Sequence, residues 1–256
     1  MRNTNPEFLI GDITIMSCPT EEKTIWRYVD LAKFVSMLAT RSLFFASPFS
    51  LAASDKWEAA YPLEFLLAHG NAGIKPIERV RAEWDRELRR VFINCWHVNE
   101  RESAAMWKLY SSGLYTLAIR STVGGFKEAC EGTKVYVHWV NYIDYDKEKQ
   151  AWNNFTDPLF TKRKSFQHEN ELRAVTYLPE PQADVAGIPV PVDLSTLLER
   201  IVVSPYDPPW LQGVVKSLLD KYDLGNVPIE TSELNAPSPT LISPPGTPTD
   251  RPDNDR

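Results

Sequence analysis

His168-Glu169-Asn170-Glu171-Leu172-Arg173 stands a few residues after the basic run Lys162-Arg163-Lys164, and it leads into Ala174-Val175-Thr176-Tyr177-Leu178. The stretch from Asn170 to Leu178 reads as a strand. Residues two apart on a strand share a face, so Glu169, Glu171 and Arg173 fall in one row, with roughly 7 Å between neighbours. Two carboxylates and a guanidinium in a row are costly to bury without a purpose. The ordinary reading is a salt-bridged solvent face. The alternative is acid/base or cation-stabilising chemistry.

Outward from this strand, short apolar runs alternate with helical patterns. Ile25 to Tyr28 reads as a strand. Leu31, Phe34, Val35 and Leu38 then mark one face of a helix, with Asp30 as its N-cap. Leu43 to Ser47 is a second strand, closed by Pro48. Asp55 to His69 carries Trp57, Tyr61, Phe65 and Ala68 at helical spacing. Pro76 opens a helix to about Arg90 whose apolar side is Ile77, Val80, Trp84 and Leu88. Its charges (Glu78, Arg79, Arg81, Glu83, Asp85, Arg86) alternate in sign, as on a solvated face.

Strands follow at Val91 to His97, Leu114 to Arg120 and Lys134 to Val140, rich in β-formers. Short helices lie between them, around Trp107 and Tyr110 and from Val123 to Ala129. Near the end, Ile201 to Val203, a helix from Leu211 to Tyr222 and Val227 to Glu230 give strand–helix–strand, the order of a crossover unit. The expected fold class is α+β: a single domain with a mixed, twisted β-sheet flanked by helices. A flexible arm over 1–20 precedes the domain at 21–234. The stretch 235–256, with six prolines among Ser, Thr and Asp, reads as a disordered Pro-rich C-terminal tail.

The chain of 256 residues is 43% hydrophobic and 24% charged, the composition of a globular protein with a sizeable core. Its net charge of −6 argues against broad non-specific nucleic-acid binding, which needs a positive footprint. Three widely spaced cysteines (Cys18, Cys95 and Cys130) give neither a disulfide framework nor a zinc pattern, and fit reduced thiols in a cytoplasm. Neither a signal peptide nor an apolar run long enough to span a bilayer is seen, so the expected location is cytoplasmic, with no membrane partner. Glycine-rich nucleotide loops of the G-x-G-x-x-G or Walker type are absent.

Several motifs occur in a set order. These are Trp26-Arg27-Tyr28 before a helix, Leu43 to Ser47, and Ser54-Asp55-Lys56-Trp57-Glu58. Then come Cys95-Trp96, Met106-Trp107-x-x-Tyr110, Val140 to Tyr142, Lys164-Ser165-Phe166-Gln167-His168-Glu169-x-Glu171-x-Arg173, and Val202-x-Ser204-Pro205. This succession, over roughly residues 24 to 233, resembles a bacterial family catalogued as domain of unknown function 2971. Two departures stand out. The family's Asn-Asp-Pro-Phe-Glu is Ser54-Asp55-Lys56-Trp57-Glu58 here, keeping Asp55 and Glu58 but losing a Pro turn. A Trp before the paired glutamates is Phe166.

The same order is similar to the broad ADP-ribosyltransferase fold: an early-strand Arg, a later polar strand end (Ser121-Thr122) and a late E-x-E. That resemblance implies NAD as cofactor and a transferase acting on a nucleotide. Cleaving a nicotinamide–ribose bond builds positive charge on the sugar, which Glu171 would stabilise. Glu169 would orient or deprotonate the acceptor. Arg27 would grip the diphosphate, and Trp26, Tyr28 or Tyr110 would stack on a planar ring.

Structural roles compete with each of these. Arg27 can pair with Glu169, Glu171 or Asp55 to fix the sheet. Trp107 and Tyr110 can be core, and His97 and His138 can pack in strands. A metal-dependent nuclease is a second enzymatic reading, with Asp157, Glu169 and Glu171 on Mg²⁺ and Lys162 and Lys164 on phosphate. It lacks the usual lysine after the acidic pair, where Arg173 stands. A third reading is a non-catalytic sensor or binding module; the family resemblance implies a place in bacterial defence against phage, and the acidic surface and proline tail suit protein partners. An enzyme requires Arg27, Glu169 and Glu171 at one hollow.

Overall fold

The row of paired strands starts from β1 (Thr24–Asp30), whose side chains are buried on both faces. The computed structural model describes residues 18–53, 55–60, 77–110, 115–148 and 156–235. Asp30 ends β1 and caps α1 (Leu31–Thr40), its carboxylate accepting from the Lys33 amide at 2.8 Å. Phe34, Met37 and Leu38 give α1 its buried side, as the apolar spacing requires. Next come β2 (Ser42–Ala46), α2 (Pro48–Leu51), α3 (Ile77–Leu88) and β3 (Val91–Val98).

The chain continues through α4 (Ala104–Tyr110), β4 (Thr116–Thr122), α5 (Val123–Ala129), β5 (Val135–Trp139), β6 (Asn141–Ile143) and β7 (Thr161–Arg163). A 3-10 segment at Lys164–Glu169 leads to β8 (Glu171–Tyr177) and β9 (Gly187–Pro191). The last elements are α6 (Leu194–Leu197), β10 (Arg200–Val203), α7 (Leu211–Lys221) and β11 (Ile229–Thr231).

Nine of the described strands form one mixed sheet. Its main path is β11-β10-β4-β1-β3-β2-β9, with β8 on the other edge of β3 and β5 beyond it. Only β10 and β11 pair in parallel within it, and α7 connects them, so the crossover unit expected from sequence is present. A separate parallel pair, β6 and β7, lies outside the main sheet.

The register divides this sheet. β1 matches β4 from Thr24↔Thr122 to Asp30↔Thr116, and β3 matches β8 from Val91↔Tyr177 to His97↔Glu171. Between the halves, β1 and β3 share only Ile25↔Val98 and Trp26↔His97. Beyond that point β1 leaves β3, and β2 takes up the same edge at Ala46↔Ile93. The sheet therefore parts just after Trp26.

Opposed residues in a ladder share a face, so the pairings sort the core. One face is apolar across both halves: Ile25, Phe92, Trp96, Leu117, Ile119, Leu172 and Ile201, covered by α1, α5 and α7. The opposite face holds two smaller clusters. Trp84, Leu88, Val91, Ile93, Phe160 and Val175 form one; Trp26, Tyr28, Met106, Trp107, Ala118 and Val202 form the other. Between them, where Glu171 and Arg173 project, the face is polar.

Two local expectations change. Asp55 to Ala59 is a turn with Ala59 at φ 50°, not the first turn of a helix; the rest of the expected helix to His69 lies outside the described residues. Glu169 belongs to the 3-10 segment and Asn170 is left-handed at φ 39°. The strand begins at Glu171, so Glu169 approaches its neighbours from a turn and not as part of a strand row. The expected arm at 1–20 falls outside the described residues except for 18–20, and the tail does so beyond Asn235. No helix among the described residues is long and apolar enough to cross a membrane.

Candidate functional site

Arg27 is the first residue of β1 past its last pair with β3. With no strand beside it there, the β3 edge leaves a carbonyl open, and the Arg27 guanidinium supplies the missing donor. One of its terminal nitrogens donates to the Cys95 carbonyl at 2.7 Å and to Asn94 Oδ1 at 3.1 Å. Asn94 is itself fixed, accepting from the Trp96 indole at 2.7 Å and donating to the Phe44 carbonyl at 2.9 Å. Arg27 is half-buried, which pushes its pKa down, while the fields of Cys95, Tyr110 and Glu171 act in the opposite direction. It thus sits in the electrostatic reach of the acidic strand without a salt bridge to it.

Arg173 lies at the centre of that strand's polar side and is wholly buried. Its Nε donates to Glu171 at 2.7 Å, and one terminal nitrogen donates to Glu58 and to the Leu159 carbonyl, both at 2.6 Å. Lys162, on the three-residue β7, enters the same cluster. Its ammonium is 2.5 Å from Glu169, 3.2 Å from Glu171 and 3.7 Å from Glu58. Three carboxylates thus surround two cations, and such a group is tolerable inside a protein only when fully paired. Tyr142 adds a polar contact, its hydroxyl accepting from the Glu171 amide at 2.9 Å.

The two glutamates are driven apart. Burial pushes Glu171 up, but Arg173 and Lys162 outweigh it and hold it down to about 2. Burial pushes Glu169 up as well, and there the Lys162 ammonium does not fully compensate, so its pKa stays above the ordinary value. Burial lowers Lys162, yet Glu171, Glu58 and Glu169 keep it above the usual lysine range. Paired titratable groups with opposed shifts are a common arrangement for dividing acid and base roles. Exposure differs as well: the Glu171 side chain is 5% accessible and that of Glu169 21%.

The aromatic candidates separate by exposure. Trp26 and Tyr28 are 5% exposed and packed with Met106 and Trp107. The Trp26 indole donates to the Asn99 carbonyl and the Tyr28 hydroxyl accepts from the Ser103 amide, so neither presents a free ring. Tyr110 differs: it is 48% exposed and stacks over Tyr28 with centroids 6.2 Å apart. Burial pushes its hydroxyl up to about 12, reinforced by Cys95, Glu169 and Glu171. Its hydroxyl therefore lies within electrostatic reach of the acidic groups while part of the ring stays open.

Arg27, Glu169 and Glu171 all lie within electrostatic reach of Tyr110, but Arg27 stands opposite Ile119 and starts from the apolar face, meeting the others only at the split, while Trp26 and Tyr28 are buried on the acidic face. The row is not a solvent face, and Arg27 does not pair with its carboxylates. Lys162 and Lys164, considered for phosphate, are bound instead to the glutamate cluster and to Glu148. Sequence reading gave Glu58 no part in the chemistry, although its place in Ser54-Asp55-Lys56-Trp57-Glu58 was a signal. Asp55 is held by Arg163 at 2.8 Å, which fixes the turn that delivers Glu58. Among the described residues no group of three His, Cys, Asp or Glu is arranged to hold a metal ion. No family model matches this chain, and no curated protein matches it significantly.

Proposed function

We propose that the chain is a nucleotide-handling transferase of the ADP-ribosyltransferase kind, working where β1 parts from β3. The observation that carries this reading is the convergence there of a half-buried Arg27, the open ring of Tyr110 and two carboxylates with opposed proton affinities. In Arg27, only one terminal nitrogen is engaged in hydrogen bonds among the described residues, and the rest of the planar fork is suited to a phosphate group. Tyr110 offers a stacking surface for a base or a nicotinamide ring.

Glu169 keeps the part expected of it from sequence, as base toward the acceptor, while Glu171 acts from a distance. Glu171 is spent on Arg173 and Lys162, so it holds the cluster and supplies a fixed negative field. Glu169 is the reachable carboxylate with raised proton affinity, and it takes the reacting role. The C1′–N bond of NAD breaks, and its electron pair leaves with the nicotinamide nitrogen. The cationic sugar carbon then bonds to an acceptor oxygen or nitrogen, whose proton passes to Glu169. NAD is the cofactor in the sense of the group donor; the acceptor is a nucleophile on another molecule.

Incubation of purified protein with labelled NAD and a cell lysate tests this. Transfer of label by the parent, and at least a hundredfold less by Glu169→Gln, is the expected result. No transfer and no NAD consumption by the parent would leave the second reading, a non-catalytic sensor or binding module. One observation favours that alternative: every carboxylate of the cluster already has a cation within 4 Å.

A further inference from the structure

His97 occupies the joint of the two sheet halves, opposite Trp26 on one side and Glu171 on the other. It is 7% exposed. Its Nδ1 lies 2.5 Å from the backbone carbonyl of Glu169. A carbonyl only accepts, so Nδ1 carries the proton. Nε2 is buried and has no partner among the described residues; a second proton there would be an unpaired buried donor, so the ring is neutral. Burial also disfavours the imidazolium, as does neighbouring His168.

The carbonyl that His97 holds belongs to a turn with few other anchors. Asn170 is left-handed, and its side-chain amide donates to the Val98 carbonyl at 2.5 Å. The Val98 amide donates back to the Asn170 carbonyl at 2.9 Å. These bonds fix the residue after Glu169, and the His97 contact fixes Glu169 itself. The Glu169 carboxylate then meets Lys162 at 2.5 Å.

We infer that His97, in its neutral Nδ1–H form, is a positioning residue that sets Glu169 for proton transfer through the Glu169 carbonyl. The inference deepens the transferase reading and rests on it for its catalytic part. The geometric part stands without any ligand. The groups that bear on the Glu169 carboxylate are Lys162 on β7, Glu171 and Arg173 on β8, Tyr142 on β6 and Tyr110 on α4. Freed from the turn, that carboxylate moves into water, loses its burial and titrates as an ordinary glutamate.

Two substitutions distinguish the ring nitrogens. Asparagine sets an amide N–H near the place of Nδ1, whereas glutamine sets its amide near the place of Nε2. Carboxyl-¹³C NMR of the ligand-free protein, read against pH, follows Glu169 directly. The expected result is a raised midpoint in the parent and in His97→Asn, and a midpoint lowered to the ordinary range in His97→Gln and His97→Ala. In the NAD assay, His97→Gln lowers kcat by about 100-fold with little change in KM, and His97→Asn recovers most of it. An unchanged Glu169 midpoint in folded His97→Gln, or recovery by Gln and not by Asn, would overturn the inference. If the parent shows no activity while the midpoints move as described, the transferase reading fails and the positioning contact stands.

Discussion

Arg173 is bound by four short contacts to Glu171, Glu58 and the Leu159 carbonyl, with no water-accessible surface. Removing it leaves Lys162 as the one cation of the described cluster for three carboxylates. Arg173→Met is expected to cost about 3–5 kcal/mol of stability, read from urea unfolding, because breaking a buried pair leaves an uncompensated charge. The cluster also sets the acid limit of the fold. Glu171 has its folded pKa below the ordinary value near 4.5, so its contribution is present above that value and is lost as pH falls toward about 2. Glu169, shifted the other way, works against the fold above its own midpoint and is relieved on protonation. Stability measured by denaturant at successive pH values should therefore decline below pH 4.5 in the parent, and Glu171→Gln, starting lower, should decline less steeply. The acidic pair was legible in the sequence because both carboxylates sit in one short motif. The place of Lys162 was not: a three-residue strand is too short to show which side it faces, and its ammonium is expected from sequence on phosphate.

Among the elements, β1 and β3 tell most about what sequence can and cannot carry. Each shows a run of apolar residues dense enough to mark a buried strand, and both were expected within a residue or two. Their mutual register of two pairs was not, since it depends on β2 entering the same edge of β3 at Ile93. Nor was the clip that the gap demands. Arg27 satisfies the Cys95 carbonyl, which would otherwise lie open in the split, and adds a second donor to Asn94 Oδ1 beside the Trp96 indole. Arg27→Ala is expected to destabilise the fold by about 1–3 kcal/mol, the cost of leaving such a group unpaired, measured by thermal unfolding. Hydrogen exchange of that variant should be faster at the β3 edge near Cys95 than in the α7 region. The turn at Asp55 to Ala59 reads as helix from sequence because Trp57 happens to keep helical spacing, whereas the Arg163–Asp55 contact at 2.8 Å and the Ala59 backbone at φ 50° decide its path.

Over the whole molecule, one apolar face binds the two halves of the sheet while the other face is divided into two clusters with charge between them. The α+β class and the closing strand–helix–strand were legible, because helix and strand periods and the crossover rule act locally. The division of the second face was not, because it arises from pairings far apart in sequence, such as Trp26↔His97 and His97↔Glu171. A ligand seated at the division would touch both halves at once. The direct measurement is an amide NMR titration of the ¹⁵N-labelled chain with NAD. Saturable shifts confined to Arg27, Cys95, Tyr110 and Glu169, absent in folded Arg27→Ala, are the result expected. No shifts at those residues, or shifts gathered instead around Gln212, Lys216 and Ile229 between α7 and β11, would contradict the account.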